Sequence, residues 1–182
     1  MKAICVYCGS SNGVTPQYAA VARQLAATLV DQNLQLVYGG GNVGLMGALA
    51  DEVMRLGGEV TGVIPQLLMD REVGHNNITR LHIVKDMHER KALMAELSDA
   101  FIAMPGGIGT LEELFEMLTW HQLGFHQKPT GVLNVLGFYD GLLQFLNHQV
   151  EQGFLHPRHR SLLHQSDQAL ELVQLLKQHQ VR

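Results

Sequence analysis

Six short apolar runs, AICVY (3–7), LQLVY (34–38), EVTGVI (59–64), LHIV (81–84), AFIAM (100–104) and TGVLNVL (130–136), recur along the chain with longer amphipathic stretches between them. Strands that are apolar on both faces have no side to give to water, so they belong in a parallel sheet covered by helices. The intervening period predicts those helices at 16–30, 43–56, 87–97, 110–123 and 138–151, with a last one near 167–179. Such alternation makes the fold class α/β, a single-domain doubly wound parallel sheet over residues 1–182. With 46% hydrophobic residues the chain can fill one core, and no linker or low-complexity tract divides it. One irregular stretch, 65–79, is long for a connection inside a domain. Either it covers a site or it is a surface excursion holding a short helix.

Charge narrows the partners. The formal net charge is −4 and Lys and Arg form no cluster, which argues against a nucleic-acid or membrane-surface role. The opening MKAICVYC falls far short of a signal-peptide apolar region, and no stretch reaches membrane-span length, so a cytoplasmic location is expected. Cys5 and Cys8 form a C-x-x-C without a second pair, and their odd offset along a strand sends the two thiols to opposite faces, as buried core residues. His121 and His126 belong to no H-E-x-x-H, and no metal is expected.

Turns that follow the strands of a parallel sheet emerge at its carboxyl edge, where ligands bind. Three are small or Gly-rich: CGSS (8–11), GGGNVGLMG (39–47) and PGGIGT (105–110). Gly lets a ligand approach the main chain, and the following helix offers unpaired N–H groups and a positive dipole end. One such turn can serve tight strand–helix packing alone; three on one edge point to an anion, with Gly9, Ser10, Gly41 and Gly44 among its surroundings and Thr110 placed to cap its helix. Gly39-x-Gly41-x-x-Gly44 has the letters of a dinucleotide fingerprint, but the next strand begins with Glu59 and ends in Ile64-Pro65, which leaves no acid for the ribose. No G-x-x-x-x-G-K-[ST] is present, so a monophosphate on a nucleotide or sugar fits better than a triphosphate.

In KDMHERKALMAEL, Asp86 and Glu89 have the spacing of a capping box, and Met87, Arg90, Met94 and Leu97 form one stripe. Arg90 therefore faces inward, where a guanidinium needs water, an anion or a carboxylate, or else snorkels to the surface. In TLEELFEMLTW the same construction puts Glu112 and Glu116 on the solvated side and Glu113 at the border of the core face. Glu113 in the first helical turn would be favoured as a carboxylate and turned from a bound phosphate toward its sugar. A fixed carboxylate there can stabilise the oxocarbenium-like charge that builds as an N-glycosidic bond breaks, and can orient water at C1′. The acid that protonates the departing base is not evident, Asp86 being a weak candidate.

At these residues the sequence closely resembles the LOG ("lonely guy") family of cytokinin riboside 5′-monophosphate phosphoribohydrolases. Its P-G-G-x-G-T-x-x-E stands here as Pro105 to Glu113, its GGGxxGLMG as Gly39 to Gly47, and its M-H-x-R-K as Met87 to Lys91. The resemblance implies a modified Rossmann fold, a homodimer, no organic cofactor and a catalytic pair carried onto Arg90 and Glu113. It also implies nucleotide contacts at Glu72, Arg90, Lys91, the stretch Gly107, Ile108, Gly109, Thr110, Leu111, Glu112 and Glu113, and Thr119, with Met87 counted beside Arg90. The implied reaction splits an N6-substituted adenosine 5′-monophosphate, or AMP itself, into free base and ribose 5-phosphate.

Two rivals stand beside this expectation. Decarboxylation would need pyridoxal phosphate on a lysine, and none of Lys2, Lys85, Lys91, Lys128 and Lys177 sits in a recognisable cofactor motif. A non-catalytic nucleotide-binding module would be served by the Gly turns, yet it gains nothing from a carboxylate beside its anion.

Overall fold

The computed structural model describes residues 1–70 and 74–179. Seven strands, β1 (Ala3–Tyr7), β2 (Gln35–Tyr38), β3 (Val60–Pro65), β4 (Arg80–Val84), β5 (Ala100–Ala103), β6 (Thr130–Leu133) and β7 (Leu163–Ser166), form one sheet in the order β4-β3-β2-β1-β5-β6-β7. Every neighbouring pair is parallel. The helices are α1 (Pro16–Asp31), α2 (Gly44–Arg55), α3 (Gln66–Met69), α4 (Met87–Glu96), α5 (Ile108–Leu123), α6 (Asp140–Glu151), α7 (Pro157–Arg160) and α8 (Ala169–His179). The α/β reading holds, with one strand more than the six apolar runs. β7 reads LHQS and buries only Leu163, because an edge strand needs no apolar run.

Alternation along the strands divides the core into layers. Ile4, Val6, Leu36, Tyr38 and Ile102 face α1, α2 and α8, whereas Cys5, Tyr7, Val37, Val63 and Phe101 face Met94 of α4 and Met117 of α5. Each fully buried Ile or Leu contributes about 1.5–3 kcal/mol relative to exposure. Cys5 and Cys8 fall in different layers as their offset requires; both are free and buried, and burial pushes both thiols well above the usual cysteine range.

The long stretch after β3 contains the one-turn helix α3 and then returns to the sheet, where Gly74 makes an isolated antiparallel bridge with Gly41. At the carboxyl edge the turns after β1, β2 and β5 rest on one another. Gly9 N–H donates to Pro105 O at 3.0 Å, and Leu45 N–H donates to Gly9 O at 3.1 Å. This contact needs Gly44, whose φ is +61 and where a Cβ would lie 2.2 Å from the Ser10 carbonyl carbon. Gly44→Ala should therefore cost about 2 kcal/mol or more in urea unfolding, while Gly141→Ala, in α6 with nothing near its added Cβ, should be neutral or stabilise by about 0.5 kcal/mol.

Candidate active site

Strand order reverses between β1 and β5, which makes the edge beyond them the switch point of the sheet. A cavity of about 490 Å³ opens there. Cys8, Gly9 and Ser10 from the first turn, Gly39, Gly41 and Val43 from the second, and Gly107 to Thr110 from the third line it, with Met46, Ile64, Leu68, Arg90 and Glu113. A larger cavity of about 760 Å³ is lined by His121, His126, Lys128, Arg158 and His179 among others. It lies at the opposite edge, ahead of β6, and among the described residues none of the three Gly-rich turns and no Asp or Glu lines it.

Helix α5 begins at Ile108, two residues earlier than the sequence suggests, with Gly107 as an N-cap that offers no side chain. Its first N–H groups are left for a ligand, the arrangement that suits an anion. Thr110 consequently sits inside the first turn and does not cap it. It is buried against Gly106, where a Cβ would lie 2.2 Å from Thr110 Oγ1.

Helix α4 is capped by Asp86, whose Oδ1 accepts from His88 and Glu89 N–H at 2.9 and 3.0 Å. Glu89 closes the box on the Lys85 N–H rather than on Asp86. The N–H donors, the Glu89 one foremost, hold the exposed Asp86 carboxyl below the usual range, which suits a cap and not a proton donor. One turn later Arg90 points inward and is 9% exposed. Its Nε donates to Val63 O at 3.2 Å, Nη2 lies 3.5 Å from Gly39 O, and Nη1 lies 3.3 Å from Glu113 Oε1. The stripe on α4 and the border position on α5 thus meet as an ion pair at the wall of the cavity, and Arg90 does not snorkel.

Glu113 is 7% exposed, and its carboxyl is pushed up to about 6. Burial causes the rise; Arg90 pulls the other way, and Glu112 adds a smaller upward push. The expectation of a carboxylate favoured by the helix dipole fails because the early start of α5 places Glu113 in its second turn, beyond the dipole's reach.

Glu112 and Glu116 are not a plain solvated face. Both pair with Lys91, which is 6% exposed, Glu116 Oε1 at 3.1 Å from Nζ. Burial draws the Lys91 pKa down, but the two carboxylates outweigh it and leave it raised. A single helical wheel could not show this, since the partner stands on the neighbouring helix.

Other expected contacts lie apart from the cavity lining. Gly44 supports Ser10 from behind, and Lys91 and Glu112 engage each other. Met87 is 40% exposed with Sδ 3.7 Å from Arg90 Nη1, Leu111 of α5 packs half-buried against the cluster of Leu114, Val132 and Tyr139, and Thr119 is exposed on the same helix. Glu72 lies outside the described residues. Cys8, Gly39, Val43, Met46, Ile64 and Leu68 line the cavity without having been singled out. Ile64 could have been found as the last apolar position of its strand; Leu68 carries no comparable signal. Among the described residues no group of three or more His, Cys, Asp or Glu is placed to hold a metal ion.

Residues 46–176 match the family model described as "Possible lysine decarboxylase". The chain is 50% identical over 179 residues to cytokinin riboside 5′-monophosphate phosphoribohydrolase LOG7 of Arabidopsis thaliana, covering 98% of this chain and 82% of the relative. LOG1 of the same plant, with the same enzyme name, is 51% identical over 176 residues, 97% and 83% of the two chains. Among solved structures, the molybdenum cofactor carrier protein of Chlamydomonas reinhardtii aligns with a TM-score of 0.72 at 18% identity, covering 100% of this chain and 99% of that one, which shows a shared fold alone.

Replacing Arg90 with Met keeps much of its bulk and removes the guanidinium, so the Glu113 carboxyl should titrate above about 6 in Arg90→Met. Carboxyl-carbon NMR checks this, and a midpoint that stays or falls would mean that Arg90 does not act on Glu113.

Proposed function

This chain belongs to the LOG family, whose model is described as possible lysine decarboxylase, and on that premise we propose that it hydrolyses the N-glycosidic bond of N6-substituted adenosine 5′-monophosphates, giving free base and ribose 5-phosphate. The observation that carries the reading is the Arg90–Glu113 pair, 3.3 Å apart at the wall of a cavity floored by Gly turns. In this reading residues 1–182 act as one catalytic domain.

The phosphate takes the N–H groups of Gly107 to Thr110, and the ribose then lies toward Glu113. As the C1′–N bond breaks, its electron pair leaves with the base, and the Glu113 carboxylate stabilises the positive charge on the sugar. A water oxygen bonds to C1′ and gives up a proton, while the base takes one. Arg90 fixes the carboxylate and keeps most of it ionised near neutral pH. Met46, Ile64 and Leu68 give the cavity an apolar side suited to the base and an alkyl group on N6. A homodimer is part of this reading, since Ile108 at the cavity is 82% exposed and offers a second copy an apolar surface to cover. Among the described residues no helix is long and apolar enough to cross a membrane.

Decarboxylation, which the family description suggests, would need a lysine at the cavity. None of the five lysines lines it, and Lys91, the nearest in sequence to Arg90, is held by Glu112 and Glu116.

Glu113→Gln should lower turnover by about 100-fold or more with nucleotide affinity changed only a few-fold, whereas Arg90→Ala should impair both. Chromatography of the products from AMP and from isopentenyladenosine 5′-monophosphate measures the rates. Faster release from the modified nucleotide supports a cytokinin-activating enzyme, comparable or faster release from AMP a general nucleosidase, and binding without release a carrier or sensor. Since the carboxylate is the working form, kcat should fall as pH drops through about 6, the raised value of Glu113, with a flat profile above it.

A further inference from the structure

His75 lies in the connection between β3 and β4, 6% exposed although Asn76 and Asn77 beside it are exposed. Its main-chain N–H donates to Gly40 O at 2.8 Å, next to the bridge between Gly74 and Gly41. The ring is fully engaged. Nδ1 accepts from the Asn77 N–H at 3.2 Å, which assigns the proton to Nε2, and Nε2 donates to Asp51 Oδ1 at 2.9 Å. Asp51 stands on α2 with a largely exposed side chain, and α2 leaves the second Gly turn at Gly44. One residue therefore ties the start of that turn, at Gly40, to the helix at its end.

Gly41 and Val43 of the cavity wall lie between those two anchor points, and Gly39, also of the wall, directly precedes the first of them. Gly39 touches Arg90 directly: its carbonyl lies 3.5 Å from Nη2, and a Cβ on Gly39 would fall 2.0 Å from the same nitrogen. Gly40, at φ +75, is backed against β3, where an added Cβ would meet Ile64 at 3.0 Å. The turn has β3 on one side and the guanidinium against it, so a shift of the turn must move Arg90.

We propose that the His75–Asp51 pair is a positioning device for Arg90, setting the Gly39 carbonyl and through it the guanidinium that faces Glu113. His75 does not line the cavity and is not a catalytic residue. The effect on turnover rests on the Arg90–Glu113 reading above; the effect on the titration of Glu113 does not. If His75 served only to fold its connection, stability would fall and the folded fraction would behave as wild type.

The test compares His75→Ala, His75→Gln, Asp51→Ala and the double alanine variant by thermal unfolding, by kcat and KM for isopentenyladenosine 5′-monophosphate, and by carboxyl-carbon NMR titration of Glu113. Each single alanine variant should lower kcat about tenfold with KM changed less than about threefold. The Glu113 midpoint should rise, because a displaced guanidinium no longer draws it down. His75→Gln, whose amide N–H can reach Asp51, should recover most of both effects, and the double variant should lose little more than the worse single. An unchanged kcat together with an unchanged Glu113 midpoint in folded Asp51→Ala overturns the proposal, even where the melting temperature drops. Should His75→Ala fail to fold, Asp51→Ala carries the decision, since it alters a mostly exposed carboxylate. If the wild type releases no base, the hydrolase reading fails, and the NMR midpoint still decides for or against the positioning role.

Discussion

A guanidinium and a carboxylate withdrawn from water at 3.3 Å govern the arrangement of this molecule's carboxyl edge. Desolvating each ion costs several kcal/mol, and their attraction offsets that only when the remaining donors and acceptors are met. Arg90 finds the Val63 carbonyl on β3 and the Gly39 carbonyl on the turn that leaves the neighbouring β2, both main-chain groups held at the sheet. Glu113 is less well compensated, and its carboxyl rises toward neutrality as a result. Under the proposed hydrolysis the incomplete compensation would be useful, because a carboxylate with spare capacity can respond to positive charge appearing beside it.

Around the pair, the fold provides an edge where turns from non-consecutive parts of the chain converge. The sheet's order brings the ends of β2, β1 and β5 side by side, and α4 and α5 descend over the same face, so their inward positions confront each other. Lys91 strengthens that confrontation from outside by engaging Glu112 and Glu116, which removes two negative charges from competition for Arg90. Two consecutive basic residues on α4 thus have opposite partners, one toward the cavity and one away from it.

Much of this was legible in the sequence, for identifiable reasons. Strands buried on both faces announce themselves as apolar runs, and the stripe of Met87, Met94 and Leu97 set Arg90 on the inward face, with a carboxylate or anion partner and a return to solvent both open. β7 was hidden because its side chains barely enter the core, and the start of α5 because Gly107 caps without a side chain. The ties of Lys91 and His75 could not be read at all: each joins residues distant in the chain, and a periodicity describes one element at a time. Family membership rested on short Gly-rich stretches whose letters carry shape requirements, so it was visible before any coordinate.

Those requirements have a consequence for how this surface tolerates change. The donors offered at the start of α5 belong to the main chain, and Ile108 among them is exposed. No side-chain replacement there can delete an N–H group other than one to proline, so the donors do not depend on which side chain Ile108 carries. Gly106 has no such freedom, because any Cβ would drive into Thr110. In the proposed reading, recognition of the nucleotide's phosphate is stored as backbone shape, and substitutions would erase it by bending the chain rather than by removing a contact.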